Sequence, residues 1–277
     1  MEYILCSGGI GDALLGVAKS FELGKPLLIH AANRHNREII EKFLAPFDIP
    51  TLVLDGSFMQ ELKAAYPAFK NSPACLSTCH LPDDMNYAEW ANRLKYEPRV
   101  PTRLDVQELF GKVSPNPKPT IVIAPAGSNL PPKIGTPYGE FTKNRVLKSE
   151  ETVALAHRYL KTHRVALVGN HEHEGLVRRV NNPNCFWASA DYLLDHKGRR
   201  TPSTIGYLYS LINSAEHVYS VDTWVKTYSC FAEVPTTVIR TRYNGIYPDM
   251  QLDLSENVFL NRNLWNLDIK TIEELTC

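Results

Sequence analysis

The chain has 277 residues, 44% of them hydrophobic and 22% charged, a balance that belongs to a soluble globular protein and excludes a disordered one. Thirty basic residues offset thirty acidic ones, so net charge gives no sign of nucleic acid, although a local basic groove stays compatible with it. No apolar stretch approaches the roughly 20 residues needed to span a bilayer, and the start lacks the basic-then-apolar order of a signal peptide. The six cysteines are scattered, several at core-like positions, and read as reduced thiols of a cytoplasmic protein.

Strand and helix patterns alternate from the start, which predicts an α/β fold. An apolar run at 3–6 (YILC) enters the glycine-rich turn SGGIGD, and Leu14, Val17, Ala18 and Phe21 then recur at helical spacing until Gly24 and Pro26. LLIHA (27–31) is a second strand, followed by a helix with Ile39, Ile40, Phe43 and Leu44 on one face. TLVLD (51–55) is a third strand, with Phe58, Leu62 and Ala65 marking the next helix. The pattern weakens between 67 and 119, although Tyr87, Trp90, Ala91 and Leu94 keep a helical period.

KVSPNPKPT (112–120) reads as a linker, and the boundary is placed between residues 117 and 118, giving two α/β domains, 1–117 and 118–277. Alternation restarts with the strand TIVIAPAG (120–127), a helix from Ser149 and the strand RVALVG (164–169). A helix over 203–213 capped by Ser203 follows, then the strand HVYSVDT (217–223), a further helix and the strand VPTTVI (234–239).

The opening glycines raise a chemical question. A dinucleotide-binding turn wants G-x-G-x-x-G with an acid about 20 residues later. Gly9 and Gly11 fit, Leu14 stands in place of the third glycine, and the second strand ends in His30-Ala31 without the acid. No Walker lysine follows either. Asp12 then has two readings: an acid favoured by the helix dipole, or a carboxylate over a cleft at the carboxyl ends of parallel strands. Asp222 and Thr223 stand where a later strand gives way to a helix. There they serve as caps or lie beside backbone amides that receive a diphosphate or sugar hydroxyls.

Taken in order, these stretches resemble the bacterial heptosyltransferases, glycosyltransferase family nine. The resemblance is carried by Gly11-Asp12 after the first strand, by IAPAGSNLPPK (123–133) with its Lys133, and by the acidic loop in LVGNHEHEG (167–175). It continues through Asp222-Thr223, Pro235-Thr236 and the tail NLWNLDIKTIEEL (263–275), which is similar to the family's closing helix. Trp224 replaces the glycine of the family's Asp-Thr-Gly, and Thr227 replaces a histidine.

The resemblance implies a GT-B fold: two Rossmann-like domains facing a cleft, with the C-terminal helix packing back toward the N-terminal domain. It implies an inverting, metal-independent transfer, hexosyl or heptosyl in type, from a nucleotide sugar to an acceptor hydroxyl. Asp12 would be the general base and Gly9 and Gly11 the acceptor-side loop. Lys133, Asp222 and Thr223 would hold the donor phosphates, and Glu174, with Glu172 as the second choice, the ribose. No cofactor is implied beyond the co-substrate. The acceptor classes open to it are a glycan, a lipid-linked glycan and modified nucleic acid. Two alternatives stand beside it: a bacteriophage-type DNA glycosyltransferase acting on hydroxymethylated bases, and a non-catalytic nucleotide- or sugar-binding protein of the same fold.

Three further clusters invite bland readings. HEHE (171–174) lacks the i, i+4 spacing of a helical zinc motif, and Cys75, Cys79 and His80 have no second half at ligand spacing. Lys197, Arg199 and Arg200 read as a solvated loop, with contact to phosphate as the alternative.

Overall fold

The protein is described from a computed structural model, which covers residues 4–7, 9–31, 34–54, 104–114, 116–127, 146–169, 173–221, 223–240 and 267–276. Its contacts divide the chain into two compact units, Met1–Leu104 and Asp105–Cys277. Both are α/β.

Among the described residues, the first unit holds three parallel strands in sequence order, β1 (Ile4–Ser7), β2 (Leu27–His30) and β3 (Thr51–Leu54). Helix α1 (Ile10–Leu23) connects the first pair and α2 (Arg34–Leu44) the second. On α1 the residues Leu14, Val17 and Ala18 are buried, as their spacing predicts. Phe21, expected on the same stripe, is 42% exposed. A helix of 14 residues runs about 21 Å, whereas a strand of four covers only about 13 Å, so the last turn overhangs the sheet. Gly24, at φ +60°, then ends the helix in the left-handed region that glycine tolerates. The helices expected around Phe58 and Tyr87 lie outside the described residues.

The second unit begins ahead of the Pro-rich stretch. Helix α3 (Val106–Phe110) is capped by the Asp105 side chain, which accepts the Glu108 amide at 2.9 Å. Its carbonyl groups are held by the later helix α6 (Ile205–Asn213): Asn213 donates to Val106 at 3.1 Å and to Gly111 at 2.7 Å, and Ser210 donates to Phe110 at 2.7 Å. These ties bring residues that the sequence assigned to the N-terminal domain into the C-terminal unit.

Among the described residues eight strands form the sheet of this unit, in the order β11-β10-β9-β4-β5-β6-β7-β8. The parallel members are β4 (Thr120–Ala124), β5 (Arg164–Val168), β6 (Cys185–Ala188), β9 (Ala215–Ser220), β10 (Thr236–Arg240) and β11 (Asp268–Thr271). β7 (Tyr192–Asp195) and β8 (Arg200–Pro202) add an antiparallel hairpin at one edge. Counting the parallel strands alone, the chain lays down β4, extends to one side with β5 and β6, then returns to the other side with β9, β10 and β11. That is the 3-2-1-4-5-6 order of a dinucleotide-binding sheet.

Both faces are covered. Ile121, Ile123, Val165, Leu167, Trp187 and Ile239 point to one side, where helices α4 (Ser149–Tyr159), α5 (Leu176–Val180) and α8 (Ile272–Thr276) supply Leu155, Val177 and Leu275. Their neighbours in sequence point the other way. Val238 there meets Cys230 of α7 (Trp224–Phe231). The strands buried on both faces read as continuous apolar runs, as expected of a parallel sheet.

Two local expectations change. The cap of α6 is Thr204, whose hydroxyl accepts the Tyr207 amide at 3.1 Å, because Ser203 is drawn into the hairpin side by its amide bond to the Asp191 carbonyl at 2.8 Å. In the described part of the tail expected as a closing helix, Asp268–Thr271 is a strand and Ile272–Thr276 a five-residue helix. Thr271 and Glu274 form a reciprocal capping box, the Thr271 amide on the Glu274 carboxylate at 2.6 Å and the Glu274 amide on the Thr271 hydroxyl at 3.3 Å. The helix therefore starts only at Ile272, and it packs into the second unit's own core through Ile272 and Leu275.

Candidate functional site

In an open α/β sheet the chain leaves neighbouring strands in opposite directions at one place only, and ligands bind in the crevice beyond their carboxyl ends. In the second unit that place is between β4 and β9. The pairing runs to the very end of both strands: Ala124 lies opposite Ser220, and the Val221 amide donates to the Ala124 carbonyl at 3.1 Å.

Beyond β9 the turn is internally tied. The Ser220 hydroxyl donates to the Val221 carbonyl at 2.7 Å and lies 3.1 Å from the Thr223 hydroxyl. Thr223, buried, caps α7 by accepting the Val225 amide at 3.0 Å. Its role as a cap is thus met, and the amino end of an eight-residue helix stands at the switch point. Asp222 itself lies outside the described residues.

The first turn of α7 contains no acid, yet it carries a lysine, Lys226, only 3% exposed. A cation at the positive end of a helix works against the dipole. Sequence reading passed it over, since lysine in a short helix ordinarily signals a solvated face. Trp224, the bulky replacement for glycine, turns its ring edge-on to Tyr209 at 6.3 Å, and Thr227 is buried.

On the β4 side, Ala126 pairs with Val146 and the Leu147 amide donates to the Pro125 carbonyl at 2.8 Å. Lys133 itself lies outside the described residues.

Glu174 follows β5, the strand beside β4. Its carboxylate accepts the hydroxyl of Tyr192 and the Arg200 guanidinium at 3.1 and 3.3 Å to its two oxygens. The same guanidinium lies 4.4 Å over the Tyr192 ring. Burial, and then the bond to Glu174, push the Tyr192 hydroxyl above its ordinary pKa, so it stays protonated and donating. Arg200, expected as a solvated loop residue, is thus an anchor for Glu174. Arg199 pairs instead with Asp195 at 2.6 Å. At Gly169, where β5 ends, a Cβ would sit 3.3 Å from the Trp187 ring, so a side chain at 169 would crowd the fully buried indole beneath this loop.

In the first unit Gly9 is exposed, and a Cβ there would meet nothing within 4 Å; its carbonyl accepts the Ala13 amide at 3.1 Å, the opening bond of α1. Gly11 and Asp12 are the second and third residues of that helix. The Asp12 side chain lies outside the described residues, as do Glu172, His171 and the Cys75–Cys79–His80 group. Among the described residues no three His, Cys, Asp or Glu side chains group to hold a metal ion, and no helix is long and apolar enough to cross a membrane.

No family model matches the sequence, and no curated protein matches it. Solved structures similar to the chain include the E. coli ADP-heptose LPS heptosyltransferase II, at TM-score 0.47 and 10% identity, over 90% of this chain and 88% of that one. The E. coli heptosyltransferase WaaC with ADP follows at TM-score 0.46 and 10% identity, over 86% of each chain. A glycosyl transferase family 9 protein of Veillonella parvula gives 0.41 and 10%, over 86% of this chain and 80% of that one.

Proposed function

We propose that the protein is a glycosyltransferase that binds a nucleotide sugar at the β4/β9 switch point of its second unit and transfers the sugar to an acceptor hydroxyl. The observation that carries this reading is the 3-2-1-4-5-6 strand order with a Thr223-capped helix start at its switch point, on the residues where the sequence resembles family nine.

In the proposed reaction Asp12 removes the proton of the acceptor hydroxyl as that oxygen forms its bond to the anomeric carbon. The bond from the anomeric carbon to the diphosphate oxygen breaks on the opposite side, inverting the configuration, and its electron pair leaves on the nucleoside diphosphate. The departing charge is met by the amides of the first turn of α7, by Lys226 and by Lys133, with no metal ion in the step. Glu174 accepts hydrogen bonds from the ribose.

The test is a panel of nucleoside diphosphates and nucleotide sugars screened by thermal shift, with hits assayed for donor hydrolysis and transfer. Stabilisation by a nucleoside diphosphate, with turnover lowered about 10²- to 10⁴-fold in Asp12→Asn and stabilisation retained, supports the enzyme. Binding without turnover on glycan, lipid-linked and hydroxymethylated DNA acceptors, unaffected by Asp12→Asn, identifies a binding protein instead. No stabilisation by any nucleotide would sink both.

A further inference from the structure

We infer that the amino edge of the second unit's sheet, from β4 to β8, is a docking surface for the phosphate backbone of a nucleic acid. It lies at the opposite edge from Thr223 and stands independently of the proposed sugar transfer.

Parallel strands put their first residues on one edge. Lys118 stands two residues ahead of β4, Lys161 follows α4, and Arg164 opens β5. Thr120 pairs with Arg164, and the Lys118 ammonium donates to the Lys161 carbonyl at 3.4 Å, so these three groups are neighbours. β7 runs antiparallel to β6, with Asp195 opposite Phe186, and the turn carrying Lys197 and Arg199 therefore falls on the same edge. Arg178 of α5 reaches that turn as well: a Cβ at Gly198 would stand 2.8 Å from its guanidinium. Four strand spacings make the row about 19 Å long.

These cations differ from the others of the unit in their partners. Lys148, Arg179, Arg200 and Lys270 each face a carboxylate. Among the described residues Lys118, Lys161, Arg164, Arg178 and Lys197 form no ion pair, and within the row Arg199 alone does, with Asp195. Lys161, Arg178, Lys197 and Arg199 are exposed, Lys118 and Arg164 partly so. The Arg164 guanidinium rests 4.7 Å over the Phe186 ring, which holds it without neutralising it.

Gathered like charges repel, and folding gains nothing from collecting them here. The dipole at the end of α4 accounts for Lys118 and Lys161, but not for Arg178 or the hairpin turn. A run of phosphates relieves the repulsion and releases its own counterions. The rest of the edge decides between polyanions. Glu216, Glu233 and Asp268 lie at or just ahead of the starts of β9, β10 and β11, so the charge changes sign along the edge. A flat anionic bilayer would meet both halves. The exposed large apolar side chains Phe21, Leu23 and Leu109 are not in the row, which leaves it without an anchor for lipid. A rod of phosphates crossing only the basic half avoids the acids.

The experiment measures anisotropy of a labelled DNA duplex of about 20 base pairs between about 50 and 200 mM salt. With about four phosphates engaged, affinity is expected to fall about 10²-fold over that range. Lys161→Gln with Lys197→Gln removes two exposed cations and should lower the salt slope by about two, with weaker binding at low salt. Arg178→Gln should lower it by about one, and carries the comparison if the double variant melts early. Lys148→Gln, at the opposite edge, should bind as wild type does. No duplex binding at the lowest salt overturns the inference, as does binding that Lys161→Gln/Lys197→Gln and Arg178→Gln leave unchanged, or an equal loss in Lys148→Gln. Vesicles of equal parts phosphatidylcholine and phosphatidylserine that bind where the duplex does not overturn it in favour of a membrane. None of these outcomes bears on nucleotide-sugar binding.

Discussion

The Val221 amide bonds to the Ala124 carbonyl at 3.1 Å, one residue past the end of β9. The two central strands are therefore zipped to their tips. Among the described residues of the proposed donor site, the Thr223-capped start of α7 lies just beyond these tips.

Thr223 is the first test of this edge. Thr223→Ala removes the oxygen that caps the Val225 amide and the partner of Ser220, and should lower stability by about 1 kcal/mol in chemical denaturation. Thr223→Ser keeps both bonds and should recover most of that loss. Equal denaturation midpoints for wild type and Thr223→Ala would show that the cap carries no weight.

Lys226 separates ligand binding from folding. Lys226→Met keeps most of the apolar stem of this buried side chain and removes the charge from the first turn of α7. The thermal shift caused by a nucleoside diphosphate should shrink in this variant, while a nucleoside without phosphates should shift wild type and variant alike. A diphosphate response equal to that of wild type removes Lys226 from the site.

Asn213 joins α3 to the body of the second unit. Its amide serves Val106 and Gly111, and its carbonyl accepts the buried hydroxyl of Tyr228 at 3.1 Å. Asn213→Ala strands all three partners, with an expected loss of about 3 kcal/mol. Limited proteolysis should then cut the stretch 105–117 faster than in wild type. Equal cutting rates would mean that α3 is held by its ring contacts with Tyr209 and Tyr228 instead.

Asp195 sets a pH dependence. The Arg199 amide, then its guanidinium, and the Lys197 amide hold this carboxyl down at about 2 from an ordinary value of 3.8. A carboxyl lowered by folding stabilises the fold fully above its unfolded pKa and loses that contribution as pH falls through the folded value. Asp195→Asn should therefore melt below wild type at neutral pH, with the gap narrowing under pH 3.8 and closing near 2. A gap that stays constant over that range contradicts the assignment.

The sequence makes some of this legible and conceals the rest for physical reasons. Apolar runs such as IVIA and VALV announce buried parallel strands because both their faces are covered, and Asp222-Thr223 announces a strand-to-helix turn because threonine is a good cap. The hairpin at 192–202 escapes detection: its second strand is exposed and carries no apolar alternation, so only the turn before Gly198, at φ +83°, signals it. Missing the hairpin meant missing the partners of Glu174, which meet it only through the pairing of β6 with β7 and β7 with β8. The tail misled for a different reason. The expectation of a helix came from the tail's resemblance to the family's closing helix, but pairing with β10 rewards an extended start, and the capping box at Thr271 fixes where helix begins.

The same hairpin has a consequence for how copies of the chain behave toward one another. β8 ends the strand order, and a terminal strand ordinarily offers its open peptide groups to any passing chain. This one is three residues long, exposed throughout, charged at Arg200 and finished by Pro202, which has no N–H to offer. The fold thus closes that flank against sheet-to-sheet accretion, and a concentrated solution of the protein is protected there from growing by strand addition.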